Sequence, residues 1–210
     1  MTLARALGQR FARAATNAVV ARPALWPILR APLRAQFKLL ARQWDEISSP
    51  GRLAPLELAL AALPDTPARV LDLGTGTGNA ALLLARRYRE AHVIGVDFAP
   101  EMIDRARTKV PAELADRVTF ATADAARLPF GDGAFDLVVL ANMIPFFDEL
   151  ARVTSSGGAV ALSFSRGPET PIYVPPERVH HELGRRGFAE FAEFRAGDGI
   201  ALLARRGKER

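Results

Sequence analysis

The sequence predicts an α/β fold: a doubly wound seven-stranded sheet, mostly parallel with a C-terminal antiparallel hairpin, plus an N-terminal helical arm. Strand-like apolar stretches alternate with helix-forming segments, which is the pattern of a parallel sheet covered by helices. The strands fall near residues 68–73, 92–97, 118–123, 135–140 and 158–165, and the helices near 79–89, 100–109 and 146–153. Right-handed crossovers would place a ligand at the carboxyl ends of these strands.

The C-terminal segment predicts the hairpin. A proline-rich stretch at 167–176 is followed by a helix at about Glu177–Arg186, which Gly187 ends. Two further strands, 188–195 and 200–206, flank the turn Gly197-Asp198-Gly199, a sequence typical of a tight hairpin.

The N-terminal segment is basic. Residues 1–43 contain eight basic side chains and no acidic one, although the formal net charge of the whole chain is only +5. Prolines at 23, 27 and 32 divide this segment into helices at roughly Leu3–Ala21 and Leu33–Ile47. In the second helix one apolar face is predicted, made of Leu33, Phe37, Leu40 and Trp44. We therefore divide the chain into a basic helical arm, 1–43, and a main domain, 44–210.

Several roles are open to the arm. An amphipathic basic helix packs on its own domain, covers an active site, lies on an anionic membrane or binds nucleic acid. The first two are favoured here, peripheral membrane contact through residues 1–43 comes next, and nucleic acid is the least favoured. Residues 1–20 also resemble a transit peptide in being rich in arginine, but they contain no serine and no clear cleavage signal.

Composition excludes several kinds of chemistry. The chain has no cysteine, so disulfides, cysteine ligands and cysteine nucleophiles are ruled out. No apolar run approaches the roughly 20 residues that a membrane-spanning helix needs. The three histidines, His92, His180 and His181, do not have a zinc-binding spacing, and no metal site is predicted. A cytoplasmic protein is expected, with peripheral membrane contact left open.

A glycine loop after the first strand is the main functional signal. The stretch Val70–Gly78 runs from an apolar strand into alternating glycines and then a helix, an arrangement in which the backbone lies close to a ligand. Asn79 stands where a dinucleotide-binding loop has its third glycine, and no Gly-Lys-Ser/Thr of a phosphate-binding loop follows. Asp97, at the end of the second strand, can accept hydrogen bonds from a ribose.

These motifs resemble class I S-adenosylmethionine (SAM) dependent methyltransferases. The resemblance lies in Asp72-x-Gly74-x-Gly76-x-Gly78, Asp97-Phe98 with Met102-Ile103, Asp124-Ala125, Leu128-Pro129-Phe130, Phe135-Asp136 and Gly157-Gly158 before a fifth strand. It implies S-adenosyl-L-methionine as cofactor, with its ribose on Asp97 and its adenine between Phe98 and Met102. It also implies that Asp124 reaches the adenine amino group and that the Ala125 backbone meets the ring. Ala99 departs from the serine that is usual there.

Several of these residues also have a purely structural explanation. Asp124 could cap the following turn, and Phe98 and Met102 could be core. Beyond the fourth strand the family's long helix is shortened, and Met143 stands where nitrogen-methylating enzymes have a polar residue. Asn142 and Tyr173 are predicted to lie near the substrate, although Asn142 could instead cap the short helix after Pro145. Tyr173, His180 and His181 are candidates for a general base.

The leading interpretation is a SAM-dependent methyltransferase that acts on a small-molecule or lipid-like acceptor, similar in outline to the quinone-biosynthesis and natural-product branches of the family. A protein or RNA methyltransferase, a non-catalytic SAM-fold binding module and a nicotinamide enzyme are the alternatives. Polyanion binding with a steep salt dependence would indicate a protein or RNA methyltransferase, and Asn79 disfavours a nicotinamide enzyme.

Overall fold

In the part of the chain that the structure describes, seven strands form one mixed sheet in the order β3-β2-β1-β4-β5-β7-β6. The structure, a computed structural model, describes residues 3–40 and 51–208, and side chains at 7–35 and 51–208. The strands are β1 Arg69–Leu73, β2 His92–Asp97, β3 Val118–Thr122, β4 Phe135–Ala141, β5 Thr154–Phe164, β6 Phe188–Ala196 and β7 Gly199–Arg206. β1 to β5 pair in parallel, and β7 pairs antiparallel with both β5 and β6. The predicted fold class is confirmed, including the hairpin.

The fifth strand begins earlier than predicted. Phe135 pairs with Thr154 but Leu137 pairs with Ala159, so β5 has extra residues opposite β4. Gly157, with a φ of +75°, lies within this irregular part of the strand. The glycines thus permit a bulge inside β5 and do not open the strand, because a positive φ is accessible to glycine at low cost.

The helices are α1 Leu3–Ala21, α2 Trp26–Leu40, α3 Ala54–Ala61, α4 Asn79–Arg87, α5 Pro100–Thr108, α6 Phe147–Val153 and α7 Pro176–Gly184. Helix α3 was not predicted, because its apolar residues do not follow one face. Leu56, Ala59 and Leu60 are buried in the core against the sheet.

The start of the second arm helix was predicted wrongly. α2 begins at Trp26, with Pro27 in its first turn, and Pro32 lies inside the helix. A proline in the first turn, such as Pro27, removes no helical hydrogen bond. Pro32 does remove one, but the loss of this single bond does not end α2. Three further predictions lie where the structure gives no side chains or no description. They are the extension of this helix to Ile47, the face formed by Phe37, Leu40 and Trp44, and the boundary between 43 and 44.

The arm packs against the main domain. Ala12, Ala15 and Val19 of α1 and Trp26 and Leu33 of α2 are buried in one core cluster with residues of the sheet, α6 and α7. The opposite cluster lies beneath α3, α4 and α5. Burial of a large apolar side chain contributes about 1.5–3 kcal/mol, so these contacts hold the arm on the sheet.

Arg13 ties α1 to the loop after β5. Its guanidinium donates hydrogen bonds to the carbonyl oxygens of Pro168, Thr170 (2.6 Å) and Pro171 (3.2 Å) and lies 5.9 Å from the ring centroid of Tyr173. Three carbonyl acceptors fix the position of a single arginine closely. Within the described residues, no helix combines the length and apolar character needed to cross a bilayer.

Candidate functional site

A cavity of about 380 Å³ opens at the carboxyl ends of β1, β2 and β4. Its floor is the glycine loop with Asp97, and its walls include the segment after β4. Trp26 and Leu33 of the arm line it as well, so α2 contributes directly to the site. The cavity therefore lies where the strand order predicts a ligand, with the arm on one side of it.

Protein packing requires the two outer glycines of the loop. Gly74 (φ +74°) and Gly78 (φ +85°) have left-handed backbones. A Cβ on Gly74 would lie 2.6 Å from the Met143 sulfur, and one on Gly78 would lie 2.7 Å from Cζ of Phe120. The loop is also tied to β2, because the amides of Gly74 and Thr75 both donate to the Val96 carbonyl at 2.9 Å.

Asp72 lines the cavity with an unpartnered carboxylate oxygen. Its side chain is fully buried, and Oδ2 accepts a hydrogen bond from Thr75 Oγ1 at 2.5 Å. Oδ1 has no hydrogen-bond partner of good geometry among the described residues, and the Ala81 amide near the carboxylate only partly offsets its burial. Burial raises the pKa of Asp72 to about 6. A buried anionic oxygen without a donor is costly, so this position suits a cationic or hydrogen-bond-donating ligand.

Asp97 links the two halves of the floor. Its Oδ2 accepts from the Gly76 amide at 3.0 Å and its Oδ1 from the Ala99 amide at 2.9 Å. Burial raises the pKa of Asp97 to about 6. An ionised carboxylate has about four acceptor positions, so each oxygen can still accept from a ligand hydroxyl. Asp97 thus both holds the glycine loop in position and faces the cavity.

Phe98 and Met102 line the cavity, but Asp124 and Ala125 are not among its lining residues. Asp124 Oδ1 accepts from the indole nitrogen of Trp26 at 2.7 Å, and its Oδ2 accepts from Arg30 at 2.8 Å. The Ala126 amide also donates to Oδ1, at 3.0 Å. The turn-capping role considered for Asp124 is therefore present, together with contacts to the arm that the sequence does not reveal.

Of the two residues predicted near the substrate, only Asn142 lines the cavity. Its backbone φ is +55°, and its Oδ1 accepts from the Ser165 amide at 2.9 Å, linking the ends of β4 and β5. The alternative cap role for Asn142 is wrong, because Phe146 immediately precedes α6. Tyr173 is not among the lining residues and packs on Phe164, with ring centroids 5.3 Å apart.

The candidate bases lie elsewhere too. His180 packs on Phe191, with a 4.6 Å centroid distance, and its Nε2 lies 3.7 Å from Glu193. Neither His180 nor His181 belongs to the described cavity lining. The sequence placed these residues after the fifth strand, but α7 directs His180 toward β6 and leaves His181 exposed.

Sequence reasoning missed several lining residues, which are Trp26, Leu33, Arg52, Ile144 and Ile172. Arg52 donates from Nε to Ser165 Oγ at 3.2 Å. Burial, and secondarily the nearby positive charge of Arg166, lowers the pKa of Arg52. Because these residues come from segments outside the glycine loop, only the tertiary fold brings them to the site.

The two buried aspartates predict a pH dependence of stability. Their pKa values near 6 exceed the ordinary value of about 3.9, so between these limits the folded chain binds protons that the unfolded chain does not. This contribution is greatest at low pH and is lost as pH rises through 6. From pH 7.5 to 5.5 we expect the ligand-free protein to gain about 1–2 kcal/mol, or roughly 3–6 °C in Tm.

Calorimetric melting of the ligand-free protein across that interval measures this effect. The Asp72→Asn and Asp97→Asn double variant should show a flatter profile. Measurements stay above pH 5, because Glu149 and Glu182 have pKa values lowered by arginine partners and lose their stabilising charge in more acidic solution. A Tm that falls steadily from pH 7.5 to 5.5 would contradict the assignment.

Comparison with known proteins agrees with this geometry. Residues 70–158 match the family model described as a methyltransferase domain. A demethylmenaquinone methyltransferase of Thermus thermophilus is 46% identical over 116 residues, which is 51% of this chain and 52% of the relative. A malonyl-[acyl-carrier protein] O-methyltransferase of Halorhodospira halophila is 37% identical over 147 residues, 66% of this chain and 49% of the relative.

A solved structure of a SAM dependent methyltransferase from Aquifex aeolicus has the same fold, with a TM-score of 0.64 and 20% identity over 79% of this chain and 97% of that chain. The fold and the glycine-loop cavity define a class I Rossmann-like methyltransferase domain. Residues 70–158 thus match a methyltransferase domain, and in this part the chain is similar to SAM-dependent methyltransferases. It spans about half the length of the curated relatives that it matches first.

Proposed function

We propose that this protein binds SAM and transfers its methyl group to a small, largely apolar acceptor. The observation that carries the proposal is the unpartnered Oδ1 of Asp72, a fully buried carboxylate oxygen on the cavity floor beside the glycine loop. SAM carries both a sulfonium and an ammonium group, and a cationic ligand would compensate this oxygen. A nicotinamide dinucleotide, with its anionic pyrophosphate, suits the same floor poorly.

The residues that would hold SAM are those of the floor and the adjoining wall. Gly74 and Gly76 line the cavity, Gly78 forms the left-handed turn into α4 without lining it, and Asp97 offers acceptor positions to ribose hydroxyls. Phe98 and Met102 supply apolar surface for adenine. When bound, SAM supplies an electrophilic methyl group on sulfur. The chain's own contribution is then to position an acceptor against it and to exclude water, which in the best intramolecular models is worth about 7–11 kcal/mol.

The lining of the cavity indicates the chemistry of the acceptor. Leu33, Met143, Ile144 and Ile172 give it an apolar wall, and Asn142 adds a polar group. The described lining residues include no histidine, tyrosine or lysine. Outside the cofactor floor, Glu57 is a carboxylate that also lines the cavity and could act as a general base; without its help, the acceptor must react as its own anion or as an already nucleophilic carbon or heteroatom. Relatives named for demethylmenaquinone and malonyl-[acyl-carrier protein] show that the family accepts diverse molecules.

Titration calorimetry with SAM, S-adenosylhomocysteine and NADH tests this function. Micromolar affinity for the first two and none for NADH is the expected result, followed by methyl transfer from labelled SAM to an apolar acceptor panel. Preference for NADH would favour the nicotinamide alternative. Tight SAM binding without transfer to any acceptor in the panel, protein or RNA would favour the non-catalytic binding module.

We further propose that the arm contacts an anionic membrane surface. Exposed apolar side chains lie on both arm helices, where Leu7 is 55%, Phe11 38% and Ile28 72% exposed. Exposed arginines of the arm include Arg10 on α1, Arg22 between the helices, and Arg30 and Arg34 on α2. Apolar side chains among cations, with no acidic residue in positions 1–43, favour a lipid surface over nucleic acid.

Vesicle sedimentation tests the membrane contact. The protein should pellet with phosphatidylglycerol-containing vesicles and much less with pure phosphatidylcholine, since each basic residue near an anionic surface contributes about 1 kcal/mol. Phe11→Ser with Ile28→Ser should reduce pelleting several-fold. Leu58→Ser, which removes an apolar side chain that is 45% exposed outside the arm, serves as the matched control. Equal pelleting of all variants, or with both vesicle types, would rule out this contact.

A further inference from the structure

The indole of Trp26 makes two of the contacts that the family resemblance assigns to adenine, those with Phe98 and Asp124. Its ring meets the ring of Phe98 edge-on, with centroids 5.6 Å apart and an interplanar angle of 62°. Its nitrogen donates to Asp124 at 2.7 Å. Indole and adenine are both flat aromatic systems that carry an N–H donor, so one carboxylate and one ring can receive either.

Arg30 occupies the second oxygen of the same carboxylate. Its guanidinium lies 2.8 Å from Asp124 Oδ2, and the Ala126 amide shares Oδ1 with the indole. Three donors thus surround a carboxylate with about four acceptor positions. An incoming adenine amino group would have to replace at least the indole, because Trp26 already stands between Asp124 and the cavity that it lines.

We propose that the side chains of Trp26 and Arg30 occupy the adenine end of the cofactor site in the ligand-free protein. In this exchange, the adenine of SAM displaces them from Asp124 when SAM binds. The inference rests on the proposed function, since it takes SAM as the ligand. The exchange requires that the ion pair between Arg30 and Asp124 be weak enough for an incoming ligand to replace it. The Arg30 side chain is 53% exposed and that of Asp124 is 28% exposed, and solvent screens an ion pair of this kind.

The rest of the arm can stay in place during the exchange. Arg13 holds α1 to the loop after β5 through three carbonyl oxygens, and the described contacts of Trp26 and Arg30 to Asp124 all come from α2. Trp26 also packs edge-on against Phe146, with centroids 5.1 Å apart, so an alternative aromatic neighbour is at hand. Movement of Trp26 alone would change the wall of the acceptor space, and cofactor binding should therefore precede acceptor binding.

Titration calorimetry on arm variants tests the exchange. Trp26→Phe keeps an aromatic ring but removes the donor, and Arg30→Gln removes the ion pair. Each should bind SAM about 3–10-fold more tightly than the wild-type chain. Arg34→Gln, an exposed arginine of the same helix, removes the same charge and should bind SAM as the wild type does. This control separates the contact with Asp124 from simple repulsion of a cationic ligand.

Fluorescence provides a second measurement. The chain has two tryptophans, so Trp44→Phe leaves Trp26 as the only indole emitter. Saturating SAM should shift its emission to the red, because a side chain that is now only 3% exposed would leave its site. Wild-type or weaker SAM affinity in both Trp26→Phe and Arg30→Gln would overturn the exchange and leave the proposed function intact. Absence of SAM binding in every chain would overturn both.

Discussion

Replacing Asp97 with alanine should weaken SAM binding by a factor of ten to a hundred while changing the thermal stability of the ligand-free protein only slightly. The loss of affinity has two sources. The variant lacks the charged acceptor for ribose hydroxyls, and hydrogen bonds to a charged group contribute about 1.5–3 kcal/mol. It also lacks the carboxylate that accepts from the Gly76 and Ala99 amides, at 3.0 and 2.9 Å, and so positions the loop.

Stability should respond differently because the carboxylate is costly to bury. Burial raises the pKa of Asp97 to about 6, so at neutral pH the folded chain holds this charge against its environment. Alanine removes that cost as well as the two hydrogen bonds, and the two changes oppose each other. We therefore expect Asp97 to serve ligand binding at the expense of stability.

Calorimetric titration and melting of the same preparations separate the two effects. Asp97→Asn keeps the shape and one acceptor and should fall between the wild type and Asp97→Ala. Asp104→Ala, at a carboxylate whose side chain is 74% exposed on α5, should leave affinity unchanged. If Asp97→Ala lost less than tenfold in SAM affinity, the assignment of the ribose to Asp97 would be wrong, whatever the Tm.

The sequence predicted the floor of the site well because local patterns determine it. An apolar strand, a run of glycines and a helix leave the loop few conformations, and Asp97 follows a second apolar strand whose carboxyl end must lie alongside. The two-residue turn at Gly197-Asp198 likewise fixed the hairpin register, with Ala196 opposite Gly199. In each case the residues that decide the geometry are close in sequence.

The walls could not be predicted, because distant residues decide them. Trp26 lies 98 positions before Asp124, and amphipathic spacing in the arm does not say which face of the sheet it covers. Ile172 faces the cavity while the adjacent Tyr173 packs on Phe164, a distinction set by a proline-rich loop with no regular period. Even the glycines were explained incompletely, since the ring that meets Gly78 comes from β3.

Gly78→Ala should destabilise the protein by about 2–4 kcal/mol, with a Tm lower by roughly 5–15 °C, and reduce SAM affinity together with it. The backbone at Gly78 has a φ of +85°, and an added Cβ would lie 2.7 Å from Phe120 Cζ and 3.1 Å from Ala106 Cβ. Phe120 is only 6% exposed. Its ring cannot retreat toward β2, because it already lies against Gly95, where an added Cβ would be 2.5 Å away.

Gly187→Ala supplies the matched control. Gly187 has the same φ of +85°, but nothing lies within 4 Å of its added Cβ, so this variant measures the conformational cost alone, about 1–2 kcal/mol. The excess loss at Gly78, measured by urea unfolding, is then the contact with Phe120. Phe120→Leu should recover part of that excess in a double-mutant cycle, because a smaller side chain relieves the overlap. Equal losses at Gly78 and Gly187 would mean that the Phe120 ring yields freely and that the glycine serves the backbone conformation alone.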